Sequence, residues 1–462
     1  MSSVSPASLG HVPALAQILA ARFNEHGHEL YLVGGAVRDR LLGLVDADLD
    51  FATSAAPEQT LQILGEIALG TAYRVGERFG TIGLASPEGR VEITTYRSEE
   101  RYVLGSRKPV VTFGRSLHED LQRRDFTINA IAQDPLTGQI VDPFGGVADL
   151  DARRLRAVGN PVDRFEDDPL RLLRAVRFAG RFDFTIESET WAAMRARART
   201  LSTISRERIR DEYSCILTAR AASRGMTLLR DSGLLEASVP QLVALTQMTD
   251  HGPRHPLSLW DHTMRAVDAV PPELVVRWSA LLHDIAKPAT RTHEPDGRPR
   301  FFHHEEVGAA LAGEILRGLR YPNAVVNEVM LLVGTHMQLH AFSPEWSEGA
   351  VRRLCLRLGP LLESAIQLAR ADAAAHTLSG RSQNAPRFDL LEARLRELSK
   401  EPPERLTSPL TGDDLMARFG RPPGRWIARI KGALESEIIE GRLRPDDREA
   451  AWAIADRMLN SS

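Results

Sequence analysis

The pattern of apolar and polar residues divides the chain into a mixed first part and a helical remainder. Short apolar runs at strand-like spacing occupy residues 30–33, 49–52 and 90–95, and amphipathic helices and Gly-rich turns separate them. From residue 168 onward, apolar residues recur mostly at helical spacing, and clusters of Pro and Gly punctuate the helices. The pattern predicts the α+β class, with a small mixed-sheet head followed by all-α modules.

The length of the chain, 462 residues, exceeds what a single hydrophobic core usually serves, so several compact units are expected. We place soft domain boundaries near residues 150, 245 and 380. The predicted domains are residues 1–150, 151–245, 246–380 and 381–462.

Composition excludes several classes of protein. With 43% hydrophobic and 26% charged residues, the chain matches a globular protein rather than a disordered or fibrous one. No stretch approaches the roughly 20 apolar residues that span a bilayer, and the N-terminal segment has no basic start before an apolar run. We therefore predict a cytosolic, cytoplasmic protein with no membrane partner.

The two cysteines, Cys215 and Cys355, lie in segments that are predicted to be helical. Neither a disulfide framework nor a thiolate metal site is indicated, and both are predicted to be core thiols.

The net charge of −3 argues against a protein that coats nucleic acid, yet arginines crowd residues 90–124 and 171–181. Such local patches bind phosphate even when the total charge does not favour it.

A turn with two adjacent glycines is the first candidate binding feature. Residues 31–43 are predicted to form a strand, a tight turn at Gly34 and Gly35, and a short helix that ends at Gly43. This geometry aims backbone N–H groups at whatever lies above the turn, which is one way to hold a triphosphate. A simple bend is the alternative for such a turn alone.

Acidic residues near this turn predict a metal site. Asp48 and Asp50 lie two apart on a predicted strand, so their side chains project to the same side. Carboxylates held this close repel each other unless a cation lies between them, and a hard ion such as Mg²⁺ fits that need. Glu92, between the inward-facing Val91 and Ile93, is a candidate third carboxylate. For each acid alone, a solvated strand edge is the alternative.

Two arginine-rich segments are candidates for phosphate binding. Arg123 and Arg124 are predicted at the start of a helix, where they would clamp phosphate bidentately or form surface ion pairs with Asp120 or Asp125.

A second helix is predicted after Asp168 at its N-cap, with Pro169 in the first turn. Its apolar stripe comprises Leu172, Leu173 and Val176. The opposite face is basic and comprises Arg171, Arg174, Arg177 and Arg181. A capping aspartate on an arginine-rich helix explains this pattern without any binding role.

The order and spacing of these segments closely resemble the bacterial class II CCA-adding enzyme and poly(A) polymerase family. The matching motifs are Gly34-Gly35-Ala36-Val37-Arg38-Asp39, Asp48-Leu49-Asp50, Arg123-Arg124-Asp125-Phe126-Thr127-Ile128-Asn129-Ala130 and Asp142-Pro143-Phe144-Gly145-Gly146. The resemblance implies template-independent addition of C and A to the 3′ end of tRNA from CTP and ATP. It also implies a nucleotidyltransferase head in which Asp48 and Asp50 hold two Mg²⁺ ions.

The resemblance implies a set of nucleotide-binding residues as well. In the family's Glu-Asp-x-x-Arg motif, the aspartate and arginine bind the base edges of the incoming nucleotide, and Asp168 and Arg171 match them. Here Asp167 replaces the glutamate and Glu166 precedes it, which leaves open which of the two supports Arg171. Residues 204–212 resemble the family's neck segment and receive no chemical role beyond helix packing and phosphate contact. The full set is Gly34, Gly35, Arg38, Arg124, Asp125, Asn129, Asp168, Arg171, Arg174 and Arg177.

The histidines of the second half resemble the HD-domain phosphohydrolase superfamily. The match implies His262, His283, Asp284 and Asp372 as ligands of a first divalent metal ion, with His304 and His336 as second-metal or phosphate-binding groups. The identity of this metal is left open. Partly buried, satisfied histidines are the alternative, and retained ligands do not by themselves predict hydrolysis.

Alternatives remain for the activity of the whole chain. A poly(A) polymerase, or an enzyme that adds only part of CCA, would use the same head. An HD phosphohydrolase acting on RNA ends or nucleotides is the alternative from a different class. Residues 410–427 resemble the family's helical tail, in which Arg425, Arg429 and Lys431 either contact tRNA or form a solvated face.

Overall fold

The computed structural model divides the chain into two compact units. The first comprises Met1–Val243 with Gly318–Arg320, and the second comprises Ala244–Arg317 with Tyr321–Ser462. The domain boundaries predicted from the sequence stay predictions. The structure describes residues 12–44, 48–67, 69–76, 80–102, 109–114, 116–248, 257–296, 298–376, 385–398, 400 and 406–460.

A seven-stranded mixed sheet forms the head of the first unit. Its order is β3-β4-β5-β2-β1-β8-β9, in which only β2 and β5 pair in parallel. A separate hairpin pairs β6 with β7, and β10 pairs with β11. The strands are β1 Leu30–Val33, β2 Leu49–Thr53, β3 Thr71–Gly76, β4 Thr81–Ser86, β5 Gly89–Thr95, β6 Arg97–Tyr102, β7 Pro109–Phe113, β8 Ala132–Gln133, β9 Ile140–Val141, β10 Arg154–Leu155 and β11 Thr185–Ile186.

The helices of the first unit cover the sheet and then continue as a helical body. In the helix that follows Asp168, Leu172, Leu173 and Val176 are fully buried, as the apolar stripe predicted. The helices are α1 Ala14–Glu25, α2 Gly35–Leu41, α3 Pro57–Gly65, α4 Leu117–Gln122, α5 Gly146–Asp151, α6 Pro161–Asp167, α7 Leu170–Phe182, α8 Ser188–Arg197, α9 Arg206–Leu217, α10 Ala222–Asp231 and α11 Leu234–Ser238.

Among its described residues, the second unit consists of helices and one small hairpin of β12 Arg291–His293 and β13 Pro299–Phe301. Helix α14, Leu274–Leu282, is buried over most of its length, and its own side chains Val276, Trp278 and Leu281 are part of the core. The helices are α12 Ala244–Gln247, α13 Leu259–Ala269, α14 Leu274–Leu282, α15 Lys287–Thr290, α16 His304–Gly318, α17 Asn323–His340, α18 Glu348–Leu358, α19 Leu362–Ala375, α20 Ala385–Leu398, α21 Gly412–Phe419, α22 Arg425–Ile439 and α23 Arg448–Asn460.

This architecture confirms the predicted α+β class, with a mixed-sheet head and a helical remainder. The predicted strand at 30–33 matches β1, and those at 49–52 and 90–95 match β2 and β5 within one residue at an end. Within the described part of the chain, no helix combines the length and the apolar character needed to cross a membrane.

Three local predictions are wrong. Cys215 is exposed rather than a core thiol, whereas Cys355 is buried. Arg123 follows the end of α4 instead of starting a helix. Helix α7 begins at Leu170 with Pro169 at its N-cap, so Asp168 lies one residue before that position. The Asp168 carboxylate nevertheless caps this helix, since Oδ1 accepts the N–H of Leu170 at 3.1 Å.

Candidate functional site

A cleft of about 850 Å³ lies between the sheet edge and the helical body of the first unit. Three aspartates line it, Asp50, Asp125 and Asp168, together with the turn at Gly34 and Gly35. Such a basic cavity suits a ligand with several negative charges. The nine arginines that line it are Arg38, Arg123, Arg124, Arg171, Arg174, Arg177, Arg181, Arg208 and Arg220.

Strand pairing places two of the acidic residues on one face of the sheet. Asp50 is the second residue of β2 and lies opposite Glu92 in the parallel pairing of β2 with β5, whereas the predicted strand residue Asp48 lies one residue before β2. Asp50 lines the cleft, whereas Asp48 and Glu92 do not. Glu92 forms an ion pair with Arg90 at 2.8 Å. Among the described side chains, these three acids are not one of the sets whose ligand atoms all lie within 4.8 Å of one another.

The turn before α2 requires glycine at position 34. Gly34 has φ +65°, and a Cβ placed there would lie 2.6 Å from Nη1 of Arg124. The absence of a side chain therefore allows the Arg124 guanidinium to approach the turn directly. Nη1 of Arg124 also donates to the carbonyl oxygen of Asn129 at 3.3 Å.

A chain of buried polar contacts links α2 to α7 across the floor of the cleft. Arg38 donates to Asp39 at 2.7 Å and to the side-chain oxygen of Asn129. The Asn129 amide donates to Asp125 at 2.9 Å, and Asp125 in turn accepts from Arg174 at 2.7 Å. Burial alone would raise the pKa of the Asp125 carboxyl, but Arg174 and Asn129 hold it well below its usual range. The network fixes these side chains because each buried group has a partner.

The two adjacent arginines share one buried carboxylate. Asp120 is fully buried and accepts from Arg123 at 2.6 Å and from Arg124 at 3.0 Å. Burial by itself raises the pKa of Asp120, yet the charges of the two guanidinium groups lower it below its ordinary value. The sequence predicted either a phosphate clamp or a surface ion pair with Asp120 or Asp125. The buried pair instead holds both arginines at the cleft wall.

The structure answers which acid supports Arg171. Oδ2 of Asp167 lies 3.6 Å from Nη1 of Arg171, whereas Glu166 pairs with Arg197 at 2.5 Å. Arg171 also donates to the carbonyl oxygens of Arg164 and Arg123, at 3.0 and 2.9 Å. Three points of attachment thus orient this buried guanidinium.

Arg208 of α9 binds Asp168, which together with Arg171 is predicted to bind the base edges of the nucleotide. Its Nη2 donates to Oδ2 of Asp168 at 2.7 Å. Sequence reasoning assigned this neck segment no chemical role beyond packing and phosphate contact. Four residues after Arg208, Glu212 lies 3.3 Å from Nε of Arg177, and burial raises the pKa of Glu212. Arg177 also contacts the exposed Cys215 thiol, at 3.9 Å.

The second unit contains a separate cluster, which we call the histidine–aspartate cluster. All its members are buried and their ligand atoms converge. Nε2 of His262 lies 3.2 Å from Nε2 of His283, 3.5 Å from Asp284 and 3.1 Å from Asp372. The cluster comprises His262, His283, Asp284, His304, His336 and Asp372.

Two more histidines of the cluster meet at the other oxygen of Asp284. Nε2 of His304 lies 3.3 Å from Nε2 of His336, and these atoms lie 3.5 and 4.0 Å from Oδ1 of Asp284. Asp284 thus faces two groups of imidazoles, which fits a carboxylate shared between two cations. His303, by contrast, points outward with 73% of its side chain exposed.

Hydrogen bonds fix the tautomers of three histidines in the cluster. Nδ1 of His283, His304 and His336 donates to main-chain carbonyl oxygens at 2.8, 2.8 and 2.6 Å. In the neutral ring this leaves a lone pair on each Nε2, aimed at its neighbours. Burial lowers the pKa of His336 to about 3, which keeps that ring neutral.

The donor set fits divalent cations. Burial alone would lower the pKa of His283, but the charges of Asp284 and Asp372 raise it to about 10, so positive charge is favoured at this point. Neighbouring donors around one ion bonded at about 2.1 Å lie roughly 3 Å apart, close to the distances above. Three residues outside the predicted set also contact its aspartates: Lys287 lies 2.6 Å from Asp284, and His340 and His376 lie 2.8 and 3.2 Å from Asp372.

Known proteins are similar to this chain both in the head with its cleft and in the region of the histidine–aspartate cluster. Three family models match: "Poly A polymerase head domain" at residues 30–156, "Probable RNA and SrmB- binding site of polymerase A" at 183–245, and "HD domain" at 254–376. The CCA-adding enzyme of Geobacillus sp. (strain WCH70) is 32% identical over 94% of this chain and 95% of its own length. The A-adding tRNA nucleotidyltransferase of Deinococcus radiodurans is 34% identical over 87% and 90%.

A solved structure of a relative extends the similarity to the whole fold. The crystal structure of the Bacillus stearothermophilus CCA-adding enzyme in complex with CTP aligns with a TM-score of 0.68 and 28% identity. The alignment covers 96% of this chain and 97% of that one. With nearly full-length similarity in sequence and in fold, the chain belongs to the CCA-adding enzyme and poly(A) polymerase family of RNA nucleotidyltransferases.

Proposed function

We propose that the chain adds C and A nucleotides, without a template, to the 3′ end of tRNA from CTP and ATP. The observation that carries this proposal is the meeting of Asp50, Asp168 and Arg171 at one arginine-lined cleft. Relatives named for CCA addition cover nearly the whole chain, which supports the substrates. Action in the cytosol stays a prediction.

Different residues of the cleft would bind the triphosphate and the base of the nucleotide. Arg38, Arg123 and Arg124 offer positive charge beside the Gly34 turn, where a triphosphate would be neutralised. Asp168 and Arg171 lie at the start of α7 and are oriented by Arg208 and Asp167. A carboxylate accepts from an exocyclic amine and a guanidinium donates to ring acceptors, so this pair suits both C and A and disfavours U and G.

The acidic residues supply the oxygen donors that a magnesium site needs. We assign Asp48 and Asp50, supported by Glu92 on the neighbouring strand, as the side chains that hold Mg²⁺. Bound Mg²⁺ would favour attack by the RNA 3′-hydroxyl on the α-phosphate and neutralise charge on the departing pyrophosphate. The pairing of Asp50 with Glu92 across β2 and β5, the nearness of Asp48 in sequence, and the hard-oxygen preference of this ion support the assignment.

A narrower activity is the second candidate. The similarity to an A-adding tRNA nucleotidyltransferase, at 34% identity, favours an enzyme that adds only the terminal A, with the same cleft. A poly(A) polymerase is the third candidate with this head.

We further propose that the histidine–aspartate cluster binds divalent cations. Six buried ligands with their donor atoms facing one another support this site. Imidazole-rich sets prefer Ni²⁺, Co²⁺ or Zn²⁺ over Mg²⁺. Such a site fits hydrolysis of phosphate esters at RNA ends. We propose that the second unit, which contains the histidine–aspartate cluster, has this second activity.

Paired variants test both proposals in one preparation. Asp50→Asn should abolish nucleotide incorporation and keep any phosphatase activity, because it removes a charge from the head alone. His283→Ala should do the reverse. Loss of neither activity in its matched variant would remove both assignments.

A further inference from the structure

One carboxylate oxygen of the histidine–aspartate cluster faces an imidazole that is outside the predicted ligand set. Oδ1 of Asp372 lies 3.1 Å from Nε2 of His262, 3.2 Å from Nε2 of His376 and 3.6 Å from Nε2 of His283. Within the described part of the chain, this buried oxygen has no hydrogen bond of acceptable geometry. Imidazole nitrogens that lie around a carboxylate oxygen without donating hydrogen bonds to it have the same arrangement as ligands around a shared cation.

Helix geometry and ring packing place His376 at this oxygen. Asp372 and His376 are four residues apart at the end of α19, so they lie on the same face one turn apart. The His376 ring stacks on His262, with ring centroids 4.3 Å apart and planes inclined by 23°. The ligand atoms of His262, Asp372 and His376 all lie within 4.8 Å of one another.

We propose that His376 is an additional ligand of the cation bound by His262 and Asp372. The inference rests on the proposed metal site and extends it to a residue outside the predicted ligand set. His262 and His283 are the two predicted imidazole ligands beside the Asp372 carboxylate. A third imidazole there shifts the metal preference of the site further toward Co²⁺, Ni²⁺ and Zn²⁺.

His376 also differs from the other ligands in exposure. Its side chain is 29% exposed, whereas those of His262 and Asp372 are 3% and 6% exposed. The residue thus forms the edge of the cluster that solvent reaches.

Cobalt binding by the full-length chain tests the proposal without an activity assay. After removal of bound metal, Co²⁺ is titrated into the wild type, His376→Ala and His376→Gln, and free metal is measured by equilibrium dialysis. Loss of a direct ligand should weaken Co²⁺ binding by at least about 10- to 100-fold, the range that loss of a mere outer-shell partner of a ligand already gives. His376→Gln keeps a polar side chain at the helix end, so the result does not depend on one variant that fails to fold.

A cysteine at the same position adds a spectroscopic readout. A thiolate that reaches the ion gives a ligand-to-metal charge-transfer absorption in the near-ultraviolet when Co²⁺ is added. His376→Cys should show this absorption, because the side chain at 376 borders the ion. His303→Cys is the matched control, since His303 is exposed and points away from the cluster, and it should show none.

The outcomes separate this inference from the metal site on which it rests. Should His283→Ala bind Co²⁺ as the wild type does, the proposed site itself fails and the role of His376 fails with it. Should His283→Ala lose binding while His376→Ala and His376→Gln keep wild-type affinity, only the role of His376 is overturned. Weakened binding in both His376 variants, with charge-transfer absorption in His376→Cys alone, is the expected result.

Discussion

Nη2 of Arg208 lies 2.7 Å from Oδ2 of Asp168, so an arginine on α9 holds the carboxylate that precedes α7. The other oxygen of Asp168 accepts the N–H of Leu170. With both oxygens engaged, the carboxylate has one orientation at the cleft. The base-reading role proposed for Asp168 therefore depends on a residue 40 positions away in the chain.

Removing that contact should impair nucleotide selection. Arg208→Gln leaves Asp168 without its charged partner, and kcat/KM for CTP and ATP should fall by about 10- to 100-fold, as loss of a charged hydrogen bond predicts. Steady-state incorporation assays measure this effect. Arg210→Gln on the same helix is the control, because Arg210 pairs with Asp211 instead. Equal kinetics for both variants would contradict the positioning role.

Substitution of Gly34 should affect activity beyond its effect on stability. Gly34 and Gly43 both have positive φ, +65° and +69°, but only at Gly34 would a Cβ meet a neighbour, Nη1 of Arg124 at 2.6 Å. Each change to Ala should cost about 1 kcal/mol of backbone strain. Gly34→Ala should in addition displace Arg124 and reduce incorporation at least tenfold. If Gly43→Ala lost as much activity, strain alone would explain both.

The buried carboxylate of Asp120 should contribute stability that depends on pH. Its pKa in the folded chain is lowered by Arg123 and Arg124, so the contribution is present above the unfolded value of about 4 and is lost as pH falls through the folded pKa. Asp120→Asn should therefore destabilise the chain by about 3 kcal/mol at pH 7, with a shrinking difference below about pH 4.

Urea unfolding of the wild type and of Asp120→Asn across this pH range checks the sign. Asp231→Asn serves as the control, since its pair with Arg230 is exposed and such pairs contribute little. A difference that grows as pH falls would oppose the assignment.

The exposed thiol of Cys215 offers a test of the cleft in solution. Cys215 lines the cleft beside Arg177, while Cys355 is buried. Alkylation with N-ethylmaleimide should inactivate the wild type, CTP should slow the reaction, and Cys215→Ser should keep its own starting activity. Mass spectrometry identifies the modified residue. Modification of Cys215 with full retention of activity would place nucleotide binding elsewhere.

Local patterns predicted the elements well because they depend on neighbours in sequence. Alternation at Leu49 to Asp50 and around Glu92 indicated strands, and Asp50 and Glu92 share a face because they lie opposite each other in the pairing of β2 with β5. Helix α7 begins at Leu170, one residue later than predicted: Pro169 is the N-cap, and the Asp168 carboxylate accepts the N–H of Leu170 from the position before it.

Contacts between distant segments could not be read from the sequence. The burial of Asp120 and the reach of Arg208 to Asp168 depend on how helices pack against the head. His340 and His376 lie four residues after His336 and Asp372, and that helical spacing was a signal that could have identified them. The environment of Cys215 depends in the same way on tertiary packing, because helical periodicity did not reveal the cleft beside it.

Sequencing of the products made from a tRNA that ends at its discriminator base is the most direct test of the proposed activity. With CTP and ATP present, the wild type should add C, C and A and then stop, and Asp50→Asn should add nothing. Extension by a long tract of A, or addition of A only to tRNA that already ends in CC, would contradict CCA addition by this chain.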